Sequence, residues 1–280
     1  MSLLFPSVPV VNSITGLGYL FTDMERAKLA RLAVSTAFKL CRNRKMSQVI
    51  VQNSDDFEQL ASSGLVNPTK MNLIRGSGVD IARFSPTPEP PGPLRVLFLG
   101  RLLRDKGVLE FLEAAALVKK HHPQVTFSLV GEIDRGHPTH IDEKVLSAYT
   151  GPGIVDYLGH SDDVSKQLQE HHLLVLPSYR EGLPKVVLEA SACQRASIVA
   201  DVPGCREIVR HEQNGLLVPA RDAKSLADAI ERLVTDQQLR LQLAENARKI
   251  VESEHSIATT CEAIVKVYEK FGLNLSTRHP

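Results

Sequence analysis

From Leu94 to Val218 the chain repeats one pattern: a short apolar run, a loop, then a stretch with helical spacing. The apolar runs are Leu94–Leu99, Val125–Val130, Ile154–Leu158, Leu173–Pro177, Ala196–Ala200 and Gly215–Val218. Helical segments fall over 107–120, 164–170 and 184–193, and two more, 223–235 and 238–253, follow the last run. In the first of them Val108, Phe111, Leu112, Ala115 and Ala116 line up as one stripe. Strands that are apolar throughout must be covered on both faces, and crossover helices provide that cover. The pattern therefore predicts a parallel, Rossmann-like α/β sheet. Ligands of such sheets bind beyond the carboxyl ends of the strands, so chemistry is sought in the loops there.

The segment before residue 84 is thinner. It offers strands at Val8–Asn12, Ser47–Gln52 and Met71–Ile74, with helices around Asp23–Leu40 and Asp55–Ser63. A doubly wound layer usually has about five or more strands, so this one is expected to be an incomplete α/β layer. Gly76-Ser77-Gly78 signals a turn, and Pro86, Pro88, Pro90, Pro91 and Pro93 crowd the stretch after it. Prolines fix φ and remove donors, which makes 85–93 a stiff linker. The expected organisation is a first domain over 1–84, the linker, a second domain over 94–258, and a C-terminal helix and tail over 259–280.

Composition narrows the class. The 280 residues are 43% hydrophobic and 23% charged with a net charge of +1, as in a globular protein with a real core. So balanced a charge gives no global attraction to nucleic acid, and no nucleic-acid partner is expected. The four cysteines Cys41, Cys193, Cys205 and Cys261 form no CxxC pair. That argues against a zinc site or a disulfide framework and fits a reducing cytosol. The start, Met1 to Phe5 followed by Pro6, lacks the basic flank of a signal peptide, and no apolar run reaches the roughly 18–20 residues of a membrane span. A cytoplasmic protein is expected. Gly16-Leu17-Gly18 lacks the third glycine of the dinucleotide fingerprint and no P-loop is present, so hydride transfer and NTP hydrolysis are disfavoured.

Two clusters carry chemistry. The loop Gly100-Arg101-Leu102-Leu103-Arg104-Asp105-Lys106-Gly107 puts Arg101 and Lys106 at a strand's carboxyl end, just ahead of a helix. Cations and unpaired backbone N–H groups converging there suit a diphosphate, although solvated loop charges would read the same way. The second cluster runs from Pro177 to Glu189 through Glu181-Gly182-Leu183-Pro184. The N–H groups of Gly182 and Leu183 at the helix start suit phosphate oxygens, and Pro184 suits the first turn. Glu181 at the mouth and Glu189 about 10–12 Å further along suit sugar and ribose hydroxyls, or else a cap and a surface charge.

These residues, with Val130-Gly131-Glu132, Tyr157-Leu158-Gly159-His160, Asp201 to Val209 and Asn214 to Pro219, resemble the retaining glycosyltransferases of family GT4. Glu181 and Glu189 match that family's E-x7-E motif, and Gly78-Val79-Asp80 with Phe84 and Pro86 resembles its interdomain GVDxxxFxP. The resemblance covers about Val8 to Phe271. It implies a GT-B fold, two Rossmann-like domains facing a cleft, here with the N-terminal one lacking its start. Residues 1–84 would then be the acceptor side, 94–258 the donor nucleotide-sugar domain, and 259–280 would pack back on the first domain.

The implied function is retaining transfer from a nucleotide diphosphate sugar, a UDP-hexose or UDP-N-acetylhexosamine, to a glycan. ITGLGYLFT, within 14–22, resembles members acting on bacterial surface polysaccharides with undecaprenyl-diphosphate-linked acceptors. The implied catalytic residues are Glu181, Arg101 and Lys106. The implied donor-binding set is Arg101, Lys106, Gly131, Glu132, His160, Gly182, Leu183, Pro184 and Glu189. No metal and no cofactor are implied, because cations and a helix N-terminus carry the charge. The family's glycine-rich loop and the histidine many members carry are not found here, which opens a second reading, a non-catalytic nucleotide-sugar-binding fragment; a GT-B epimerase is a third. The basic helix Asp23–Lys45 suits either peripheral contact with the inner face of the membrane or an ordinary solvated face.

Overall fold

The computed structural model describes residues 8–15 and 46–273, so Gly16–Gly18, Cys41 and the basic helix Asp23–Lys45 lie outside the described residues. The chain divides into two compact units, 79–256 and the residues flanking it on either side.

In the first unit β1 (Val10–Ile14), β2 (Ser47–Val51) and β3 (Met71–Leu73) form a parallel sheet in that order. Helix α1 (Ser54–Ser62) starts where the Asn53 side chain accepts the Asp56 N–H at 2.7 Å. Leu60 packs with Val49, Val51, Leu65, Val66 and Met71. Also in this unit is the last helix, Ile257–Glu269. It brings Val267 against Ile50 and Ile74, and Lys270 Nζ donates to Asn72 Oδ1 at 2.6 Å.

The second unit is a six-stranded, fully parallel sheet. Its strands are β4 (Arg95–Leu99), β5 (Thr126–Val130), β6 (Asp156–Gly159), β7 (Leu173–Leu176), β8 (Ala196–Ala200) and β9 (Leu216–Val218). The order β6-β5-β4-β7-β8-β9 reverses direction between β4 and β7, where the winding switches. Helices α2 (Val108–His121), α3 (Glu143–Thr150), α4 (Val164–Gln169), α5 (Lys185–Ala192), the single turn α6 (Pro203–Arg206), α7 (Ala223–Thr235) and α8 (Gln237–Glu254) connect and cover it. The helix of the first unit, Ile257–Glu269, is α9 in chain order. Val96, Leu97, Phe98, Leu174, Val175, Ile198 and Val199 are fully buried, as the continuous apolar runs require.

Among the described residues the strands and helices agree with the sequence pattern to within a residue or two, and two α-helices were missed. Helix α3 buries only Leu146, too thin a stripe to register, although Asp142 caps it by accepting the Lys144 N–H at 2.8 Å. Turn α6 is a single turn behind Pro203. The proline-rich stretch read as a linker is bound along the second unit. Buried Arg195 donates to the carbonyls of Thr87 and Pro88 and to Thr87 Oγ1, at 2.8, 3.2 and 2.7 Å. Arg240 forks onto Glu89 at 2.7 and 2.9 Å, and Arg248 donates to the Phe84 carbonyl at 2.9 Å. Among the described residues no helix is long and apolar enough to cross a membrane.

Candidate donor site

The two clusters meet at the winding switch. The loop leaving β4 runs through Arg101 into a short 3-10 turn, Arg104–Lys106, and Gly107 then caps α2 with φ +74. The loop leaving the neighbouring strand β7 carries Tyr179 to Leu183, with Pro184 as the cap residue of α5 rather than its first turn. Lys106 Nζ donates to Glu181 Oε1 at 2.7 Å, joining residues 75 apart in the chain. The Glu181 side chain is 10% exposed and that of Lys106 26%, so this is a largely desolvated pair with one side open.

Close backbone contacts hold the loops together. A Cβ on Gly107 would overlap the Pro177 carbonyl, and one on Gly204, in α6, would overlap the carbonyls of Gly182 and Glu181. The Tyr179 N–H donates to the Asp105 carbonyl at 2.9 Å, stitching the β7 loop to the residue before Lys106. The Tyr179 hydroxyl donates to Glu110 Oε1 in α2 at 2.7 Å; burial and then that bond push its pKa up to about 12, so the phenol keeps its proton.

The remaining expected residues spread around this pair. Arg101 is well exposed and ion-pairs with Asp134 at 3.4 Å. Gly131 donates its N–H to the Gly159 carbonyl at 2.8 Å, and its own carbonyl accepts the Tyr157 hydroxyl at 3.1 Å. Glu132 gives its carbonyl to the Leu102 N–H at 2.9 Å and shares a cavity of about 390 Å³ with Arg135, Glu143 and Tyr157. His160 is exposed, its Nε2 lying 3.1 Å from Asp162 Oδ1. The carboxylate of Glu189, half-buried on α5, makes no hydrogen bond or ion pair among the described residues, and desolvation raises its pKa against the pull of Lys185 and Arg83.

So Lys106 and Glu181 come together beside Gly182 and Leu183, with Pro184 capping the helix that carries Glu189. Arg101, Gly131, Glu132 and His160 lie along the β4, β5 and β6 loops of the same edge. Tyr179 stood unremarked inside the second cluster. Its partners Glu110 and Arg221, the latter with its guanidinium 4.6 Å from the Tyr179 ring centroid, gave no sequence signal. Their neighbours in space lie 69 and 42 residues away in the chain.

A parallel sheet with its charged pair at the winding switch belongs to the nucleotide-binding α/β class. The comparisons place the chain within that class. The family model described as glycosyl transferases group 1 matches residues 81–250, and the chain belongs to that family. It is 32% identical over 273 residues to the N,N'-diacetylbacillosaminyl-diphospho-undecaprenol alpha-1,3-N-acetylgalactosaminyltransferase of Campylobacter jejuni, covering 92% of this chain and 69% of that protein. It is 25% identical to the UDP-Gal:alpha-D-GlcNAc-diphosphoundecaprenol alpha-1,3-galactosyltransferase of Escherichia coli, over 92% of this chain and 68% of that one. Anabaena HepE in complex with UDP superposes with a TM-score of 0.83 at 21% identity, over 96% of this chain and 74% of that structure, which shows the GT-B fold.

Proposed function

We propose that the chain transfers a sugar from a UDP-sugar, a hexose or N-acetylhexosamine, to a diphosphoundecaprenol-linked glycan with retention of configuration. The donor would lie across the carboxyl ends of β4 and β7. The observation that carries this reading is the Lys106–Glu181 pair at the winding switch, a cation and a carboxylate held together with one side open. Lys106 and Arg101 would neutralise charge developing on the leaving UDP, with the backbone at the start of α5 aimed at the same oxygens. Glu181 would hold a hydroxyl of the transferred sugar as it becomes oxocarbenium-like, and Glu189 the ribose. Gly131, Glu132 and His160 line the base side. With cations supplied by side chains, transfer is expected to survive EDTA. The names of the two relatives support the acceptor, which would bring the enzyme to the inner face of the cytoplasmic membrane.

Glu181 takes one of the three ammonium donors of Lys106 and orients the group, so a diphosphate can accept from the same ammonium on its open side. Calorimetry with UDP tests this directly. Lys106→Ala should weaken UDP about 10- to 100-fold, the range for a charge-assisted contact. Glu181→Gln should abolish transfer yet leave UDP binding as tight or tighter. A Glu181→Gln variant that still transfers sugar, or that loses UDP as Lys106→Ala does, contradicts the assignment. Repeating the titration with GDP and ADP tests the base.

A further inference from the structure

Arg221 stands in left-handed backbone, φ +63, in the loop between β9 and α7, one of three non-glycine residues with positive φ among those described. A long side chain held there is strained, and such strain persists where the surroundings over-determine the residue. What Arg221 gains is a place over Tyr179, with its guanidinium 4.6 Å from the ring centroid. Tyr179 is held on two further sides. Its hydroxyl donates to Glu110, itself buried with Oε2 unpartnered, and its N–H donates to the Asp105 carbonyl. Asp105 precedes Lys106 by one residue, and Tyr179 precedes Glu181 by two. Tyr179 is thus held to α2 and the β9 loop by its side chain and to the β4 loop by its backbone, and that backbone bond joins residues within two positions of each half of the ion pair.

We propose that Tyr179, tied to Glu110 and covered by Arg221, is a positioning residue that sets Glu181 against Lys106. Arg221 and Glu110 act on the donor site through it. This rests on the donor-site reading above. A rigid phenol packed under a cation fixes the loop's height above the sheet, and the backbone bond to Asp105 transmits that height to Lys106. None of the three side chains needs to touch the donor.

The test is UDP calorimetry and transfer kinetics on the full chain, with thermal melting alongside. Arg221→Gly gives the backbone the residue that φ +63 prefers, so a purely structural role leaves melting and UDP affinity equal to or better than wild type. The expected result is an unchanged or raised melting temperature with UDP affinity about two- to fivefold weaker, and Arg221→Lys restoring most of it. Tyr179→Phe, which keeps the ring and loses the bond to Glu110, should lower kcat/KM about tenfold. On a Tyr179→Ala background Arg221→Gly should have no further effect; an undiminished effect there would mean Arg221 touches the donor directly and overturns the proposal. Wild-type affinity and kcat in Arg221→Gly and Tyr179→Phe also overturn it, provided Lys106→Ala weakens UDP. If Lys106→Ala has no effect either, the donor-site reading is what fails.

Discussion

Glu189 illustrates how function and stability pull on one residue. Its carboxylate is desolvated on α5 and has no hydrogen-bond partner among the described residues, so its pKa lies above the ordinary carboxylate value. A folded-state pKa above the unfolded one means the protonated form favours folding. The stability contribution is complete below the unfolded pKa and is lost as pH rises through the folded one, leaving ionised Glu189 a cost at neutral pH. Glu189→Gln should therefore raise the melting temperature at pH 7, with the gain fading as pH falls to 4. The same substitution should weaken UDP about tenfold if the carboxylate binds ribose hydroxyls. A gain in stability with no loss of UDP affinity would remove Glu189 from the site. Its position in the motif is legible along the chain and its solvation is not, because spacing does not report what packs over a helix face.

Between elements, the site depends on loops lying closer than ordinary side chains allow. Gly107 caps α2 with its Cα against the Pro177 carbonyl, so the β4 loop and the end of β7 share one backbone contact. Gly107→Ala imposes both the left-handed φ and a collision, and should cost about 2–4 kcal/mol in urea unfolding while weakening UDP. Gly153→Ala is the control, since Gly153 has φ +72 with open space around it. That change should cost about 1 kcal/mol and leave UDP binding alone. Equal effects of the two would show that backbone conformation, not the approach of the loops, matters at Gly107. Gly107 is legible as a turn in the sequence; that it is also a contact with a strand 70 residues on is not.

At the scale of the second unit, the proline-rich stretch is a strap. The Arg195 guanidinium makes seven hydrogen bonds, four of them to the carbonyls of Leu168, Gln169, Cys193 and Gln194 and three to Thr87 and Pro88. A guanidinium presents five donors in a plane and an ammonium three at a point, so lysine cannot span these acceptors. Arg195→Lys should lower stability by about 2–4 kcal/mol in urea titration, with UDP affinity of the folded protein unchanged. A loss of UDP affinity at full folding would tie the strap to the donor site. Proline composition predicts stiffness wherever the segment lies; only the folded unit shows that Arg195 and Arg240 fasten it.

By itself the sequence determined the alternation of apolar strands and helices, the loops that end those strands, and the ordered motifs that mark a glycosyltransferase. Each of these is local: a continuous apolar run reports burial on both faces, and a proline or glycine reports an allowed φ. The tertiary structure decided that β4 lies beside β7, and hence that Lys106 meets Glu181 across 75 residues while Arg101 turns to Asp134. Strand order follows from handed crossovers and from how helices cover the sheet, and no window along the chain contains that information. The clamp on Tyr179 belongs to the same category, for Glu110, Tyr179 and Arg221 come from three elements and only the folded sheet brings them together.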